Sequence, residues 1–416
     1  MFYYPKSNKL QAILPLQKGK ERYKTVGFKE LAYFHGACDT SFRKVTALLN
    51  RIKYQEDNGT PYRTLNSGIE QEARAVNAEI EEKTSSILQE HNFSEVAYPK
   101  DESKYKSDFH TMDKKVLHYK LEELKNEMTD KDLANLINVG NADFEDSQLS
   151  TNISIDDVHV KKQVLKRENR KNQKLETEIK NQRKEDKTET SKLKKKRKYV
   201  YNTIVHIQNT KGQYTLTGLG ISSVISTIVA FLLFNGLVTN NWIFFVDGQR
   251  TIYSTILKRL AWKKNLTFIL DWYHLKKKCE MQLSLGLNNT KKRNEILGKL
   301  LYYSWYGLTE KVYDFIDKIP DEYIKNQDAL DKLKGYYKRN YNYIPNYALR
   351  KKVGLRNSSN RGEKENDLII SNRQKHNGMS WSKKGSNSLG VLTAIKQNKE
   401  TNNWLNKKEI EFRIAA

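Results

Sequence analysis

Residues 221 to 271 read ISSVISTIVAFLLFNGLVTNNWIFFVDGQRTIYSTILKRLAWKKNLTFILD, and this stretch decides the fold. It contains two short, nearly continuous apolar runs, Trp242 to Val246 and Leu266 to Leu270, with an amphipathic helical pattern from Thr251 to Trp262 between them. Apolar runs joined through a helix fit parallel strands covered on both faces. The run from Ile221 to Val238 is long enough, at about 18 residues, to enter the range of a membrane span. Ser222, Ser223, Ser226, Thr227 and Asn235 interrupt it, and it lies between strand-like segments, so a buried core helix is the expected form.

Upstream, TNISIDDVHV at 151 to 160 alternates Ile153 and Ile155 with Ser154 and Asp156, the rhythm of a strand. Tyr199 to Gln208 and Tyr214 to Gly218 follow, separated by the turn-like Asn209, Thr210, Lys211 and Gly212. The order is three strands that can meander, then helix, strand, helix, strand. This predicts an α/β (α+β mixed) class with a mixed five-stranded sheet.

Working outward, residues 1–145 read as an α-helical N-terminal part. In it, GFKELAYFHGACDTSFRKVTALLNRI at 27 to 52 has helical spacing on both sides of a break near Gly36 to Thr40. Asp39, Thr40 or Ser41 can cap the second helix, which carries Arg43, Lys44 and Arg51. The pattern suits a helix-turn-helix that binds DNA, or an ordinary hairpin with a solvated basic face. A further helix is expected from Ile69 to His91, after a turn at Asn66, Ser67 and Gly68. Residues 146–278 hold the first part of the sheet, 279–355 a helical, aromatic-rich insertion, and 356–416 the return to the core.

Lys and Arg number 74 against 49 Asp and Glu, a net charge of +25, with 38% apolar residues. That balance excludes a membrane transporter and an acidic, solvating chain, and favours a polyanionic partner, nucleic acid first. Between the first two strands, residues 161–198 alone hold 17 basic and 6 acidic residues, a net of +11. Such a run is a solvated helix or flexible loop, or a surface for the DNA backbone. The cysteines, Cys38 and Cys279, are too few for a disulfide framework. The opening MFYYPKSNKLQ has no basic-then-apolar signal, so a cytoplasmic, DNA-associated protein without membrane attachment is expected.

Acids stand at the ends of the strands: Asp156 and Asp157 in the first, Asp247 after WIFFV, and Asp271 after LTFIL. Open α/β sheets bind ligands at this rim. Clustered carboxylates repel one another unless a cation is present, and oxygen ligands suit Mg²⁺ or Mn²⁺. A further acid can come from RGEKENDLIISNRQKHNGMSWSKKGSNSL at 361 to 389, which offers Glu363, Glu365 and Asp367 ahead of a helical pattern. Arg373, Lys375, Lys383 and Lys384 lie close by to hold phosphates.

SIDDVHVKKQ at 154 to 163, FFVDGQR and ILDWYHLKKK within 244 to 278, and RGEKENDLIISNRQKHNGMSWSKKG at 361 to 385 together resemble DDE transposases of bacterial insertion sequences of the Lre type, distantly similar to the Mutator and hAT groups. The resemblance implies an RNase H-like core interrupted by an all-α insertion, with Asp156, Asp247 and Glu365 binding two Mg²⁺ (or Mn²⁺) ions. Asp157 and His159 match an acid and a histidine of the same motif. Glu363 competes with Glu365, and Asp157 with Asp156. Asp271-Trp272-Tyr273-His274 resembles an acid-or-cysteine-x-x-histidine motif, giving His274 a supporting place in the active site. Trp381 either stacks on a base or packs beneath the final helix. The implied partners are double-stranded DNA, as terminal inverted repeats and as target, and further copies of the chain bringing two ends together. The long basic insertion at 161–198 and the want of a metal-binding cysteine set depart from the family pattern. A metal-dependent nuclease or resolvase without strand transfer, or an inactive DNA-binding remnant, are the other functions open to such a chain.

Overall fold

The structure, a computed structural model, describes residues 2–3, 10–11, 25–38, 41–52, 60–140, 142–163, 199–375 and 379–414. Most of the basic segment 161–198, from residue 164 onward, lies outside them. Five strands form the central sheet: β1 (Ser150–Lys161), β2 (Tyr199–Asn209), β3 (Gly212–Gly218), β4 (Asn241–Val246) and β5 (Leu266–Leu270). Their spatial order is β3-β2-β1-β4-β5. The β1–β2 and β2–β3 pairs are antiparallel, and the β1–β4 and β4–β5 pairs are parallel. The fold is therefore the mixed α/β class with the expected meander followed by two parallel crossovers.

Alternation along β4 explains why both faces are covered. Trp242, Phe244 and Val246 enter one core with the 221–234 and 383–397 helices, whereas Ile243 and Phe245 enter a second core with helices of the insertion. The apolar helix is Ile221–Phe234, 14 residues, and among the described residues no helix is long and apolar enough to cross a membrane.

The N-terminal helices are not a separate body. Leu65, Ile69, Ala73 and Val76 of the Tyr62–Glu90 helix join the same core as Trp242 and Leu389, and that helix packs on the 221–234 and 383–397 helices. It starts at Tyr62 rather than Ile69, because the expected turn at Asn66–Gly68 is helical. A side chain at Gly68 would lie 2.5 Å from the Tyr33 hydroxyl, so the glycine admits a close helix crossing rather than a turn. Upstream, Val26–Lys29, Glu30–His35 and Gly36–Cys38 run on as helix, the middle part with π-type winding. The Phe42–Ile52 helix follows, with the Ser41 hydroxyl accepting from Lys44 N at 3.3 Å. Of the expected caps, Asp39 and Thr40 lie outside the described residues.

The insertion begins earlier than residue 279, since the Trp272–Gly286 helix runs straight through that point. It continues with the Thr290–Trp305, Thr309–Asp317, Gln327–Asn340 and Tyr347–Lys352 helices. A buried ion pair ties its end to the approach of β1: both Arg350 terminal nitrogens donate to Glu145 at 2.7 Å, and its Nε donates to Arg356 O at 3.1 Å. Breaking a buried pair leaves one charge uncompensated. Arg350→Ala should therefore lower unfolding free energy by about 3–5 kcal/mol in denaturant titration. Adding Glu145→Ala should cost less than the sum of the two single changes, because the stranded charge is gone.

Candidate active site

Register places the acids. Ser154 pairs with Phe245 in parallel, so two residues further along each strand Asp156 comes level with Asp247. Val246 pairs with Leu270, which brings Asp247 level with Asp271. Neighbouring strands lie about 5 Å apart, so three carboxylates line one end of the sheet.

Each is held differently. Asp156 accepts from Asp157 N at 2.8 Å and from Asn366 Nδ2 at 2.7 Å. Burial pushes its carboxyl up to about 6, a shift moderated by the charge of His274 and increased by Asp247 and Glu363. Asp247 accepts from Gln249 N at 2.7 Å, and burial raises its carboxyl as well. Its carbonyl accepts from the Tyr336 hydroxyl at 2.9 Å, so the insertion braces the loop. Gly248 follows at φ +82°, where a side chain would meet the Tyr336 ring at 2.8 Å. Asp271, 1% exposed, caps the Trp272–Gly286 helix by accepting from Tyr273 N at 2.8 Å and His274 N at 3.3 Å.

That cap sets His274 in the first turn, with its Nε2 2.8 Å from Glu363 Oε1. Burial works against the imidazolium, but the hydrogen bond to Glu363 and the charges of Asp271 and Asp156 outweigh it and lift His274 to about 9. The same bond holds Glu363 below the usual carboxylate range, helped by Lys277 and Lys375. Ligand atoms of Asp156, His274 and Glu363 all lie within 4.8 Å of one another.

The acid facing Asp156 is Glu363, and the expected ligand Glu365 turns away. Both lie on the Asn360–Asn366 helix, and two residues along a helix rotate a side chain by roughly 200°. Glu365 is buried and accepts from Gln397 Nε2 at 3.2 Å. Asp157 accepts from the Thr203 hydroxyl, and His159 is exposed with its ring 4.3 Å from that of Tyr201. Sequence reasoning missed Asn366, whose signal is its position three residues after Glu363 on one helix face.

The expected DNA contacts divide. Arg43, Lys44, Lys375, Lys383 and Lys384 are exposed; Lys384 pairs with Glu70 at 3.1 Å, and Arg43 lies 5.4 Å from the centre of the Tyr62 ring. Arg373 does not reach the surface as expected and Trp381 packs rather than standing free for a base, the two being 4% and 8% exposed. The guanidinium stacks on Phe42 and Trp381, at 5.1 and 5.3 Å from the ring centres. Trp381 itself continues the edge of the core, its N donating to Lys161 O and its O accepting from Gln163 N, both at 2.8 Å.

The donor set suits a divalent cation: buried carboxylates whose proton affinity is raised by desolvation, and further by one another's charge, gain from a metal charge. Set against known protein families, characterised proteins and solved structures, the chain matches none.

A group whose folded value is raised stabilises the protein below its unfolded value and loses that contribution as pH climbs through the folded one. For His274 this window runs from 6.5 to about 9. Without added metal, the protein should lose on the order of 1–3 kcal/mol across it. Thermal melts of His274→Gln over the same pH range should be flatter. Asp156 acts in a lower window, 3.8 to about 6, where stability also falls as pH rises.

Proposed function

We propose that the chain is a DDE-type transposase that cuts double-stranded DNA at the ends of a mobile element and joins them to target DNA. The observation that carries this reading is the meeting of Asp156, His274 and Glu363 beside Asp247, at the end of a mixed sheet interrupted by a helical insertion. Asp156, Asp247 and Glu363 are the proposed holders of two divalent ions, Mg²⁺ or Mn²⁺. Glu363 takes the place first expected of Glu365. When bound, such ions supply Lewis-acid activation of water and of the phosphoryl group.

The remaining work falls to the protein's own groups. Asn366 fixes Oδ2 of Asp156 while the Asp157 amide holds its Oδ1, so the carboxylate's orientation is set from both sides. His274 donates to Glu363 and provides positive charge among the acids. Lys277 and Lys375, whose charges reach Glu363, are placed to attract the phosphates of a DNA strand entering the site. Arg43, Arg51, Asn50 and Tyr62 line a shallow groove on the Phe42–Ile52 helix, which supports its reading as the DNA-contacting helix of a helix-turn-helix. Assembly of further copies on DNA follows from the need to bring two ends together.

The test is a transposition assay that also measures end binding. Asp156→Ala, Asp247→Ala and Glu363→Ala should each cut excision on the order of a thousand-fold or more while DNA binding persists. Glu365→Ala should retain excision, and chelation by EDTA should abolish it in the wild type. Excision undiminished in Glu363→Ala would sink the proposed ligand set. Cleaved ends without joined products would make the protein a nuclease instead.

A further inference from the structure

Asp271 contributes more than a helix cap. Its Oδ1 accepts from Tyr273 N and His274 N, and its Oδ2 accepts from Ser359 N at 2.5 Å. Ser359 lies 88 residues later, immediately before the helix that carries Glu363. The Ser359 carbonyl in turn accepts from Glu363 N at 2.8 Å. One buried carboxylate is thus linked to the backbone of His274 directly and to that of Glu363 through one intervening residue.

The surrounding chain strengthens this junction. Trp272 N donates to Asn357 O at 3.0 Å. Asn357 Nδ2 donates to Tyr347 O at 2.6 Å, and the Tyr347 hydroxyl donates to Leu270 O at 2.7 Å. The segment leaving the insertion is therefore laid against the turn between β5 and the following helix. A cap alone needs one acceptor, which serine or asparagine supplies at far lower desolvation cost than a carboxylate. The second oxygen is what an approaching Ser359 N–H requires. An asparagine here would turn its NH₂ either on Ser359 N–H or on the helix amides, and one side would lose its acceptor.

We propose that Asp271 is a positioning residue that locks the Glu363 helix against His274 and so sets the spacing of the pair beside Asp156. It touches no reacting atom. Its consequence for metal binding rests on the function proposed above, whereas the clamp itself does not.

The experiment compares wild type with Asp271→Asn and Asp271→Ser, both able to cap a helix. Backbone hydrogen exchange should rise across residues 357–366 in the variants, with β4 and the body of the Trp272–Gly286 helix as protected as in wild type. Mn²⁺ affinity, read by electron paramagnetic resonance, should weaken about ten-fold to a hundred-fold, as outer-sphere substitutions do. Unchanged exchange across 357–366 would overturn the proposal. So would Mn²⁺ affinity within about two-fold of a metal-binding wild type. A rise in exchange spreading to β4 would also overturn it, because Asp271 would then merely hold the fold. If wild type itself fails to bind Mn²⁺, the proposed metal function falls, and exchange across 357–366 still decides the clamp.

Discussion

Carboxylates held about 5 Å apart repel by roughly 3 kcal/mol at the effective dielectric of a protein surface, and more when buried. Asp156, Asp247 and Asp271 stand level on neighbouring strands at the ends of β1, β4 and β5, and Glu363 comes within 4.8 Å of Asp156. Much of the surrounding architecture makes this crowding tolerable. Asp271 is satisfied by three backbone N–H groups, Asp247 by the amide of Gln249, and Asp156 by Asn366 and a neighbouring amide. His274 supplies a positive charge within the cluster, and lysines stand at its margin. Even so, Asp156 and Asp247 keep raised proton affinities. Burial is the main cause of that rise and neighbouring carboxylates add to it, so a cation's charge in their midst would offset both.

The helical parts act on the same sheet end from different directions. The insertion braces Asp247 through the Tyr336 hydroxyl and is itself anchored by Arg350 on Glu145, close to where β1 begins. From the other side, Phe42 of the N-terminal helices meets Arg373, which closes the segment that Glu363 opens. A guanidinium stacked between aromatic rings keeps favourable cation–π contact while losing water. DNA held on the Phe42–Ile52 helix would therefore sit on an element that meets the Asp367–Lys375 segment, which continues directly from the helix carrying Glu363.

The strands and their acids were legible because local patterns specify them. Continuous apolar runs marked β4 and β5, alternation marked β1, and an acid after each run marked the rim. Helix phase within the 361–389 segment was not legible. Glu363 and Glu365 have the same chemistry two residues apart, and the contacts that set the helix phase, Gly362 close against Ser154, Asn366 on Asp156 and Gln397 on Glu365, all come from distant parts of the chain. Arg373 misled for a related reason: a cation in a polar stretch reads as exposed until an aromatic partner from residue 42 covers it. Likewise, Gly68 signals a turn locally but serves a helix crossing with Tyr33. In each case the deciding contact comes from far along the chain.

Sequence distance also explains why the fourth acid needs the most support. Asp156, Asp247 and Asp271 are aligned by strand register, which the hydrophobic pattern enforces along the whole sheet. Glu363 follows the entire helical insertion, so no ladder fixes its position. Closing a long segment costs little extra entropy per added residue, but a freely hinged return would leave the acid unplaced. The contacts of Asn357 and Ser359 with the 270–274 turn convert that loose return into a defined one. Because the same turn begins the helix of His274, the histidine and the glutamate share one anchor. Their pairing is therefore set at the point where the two ends of the insertion meet.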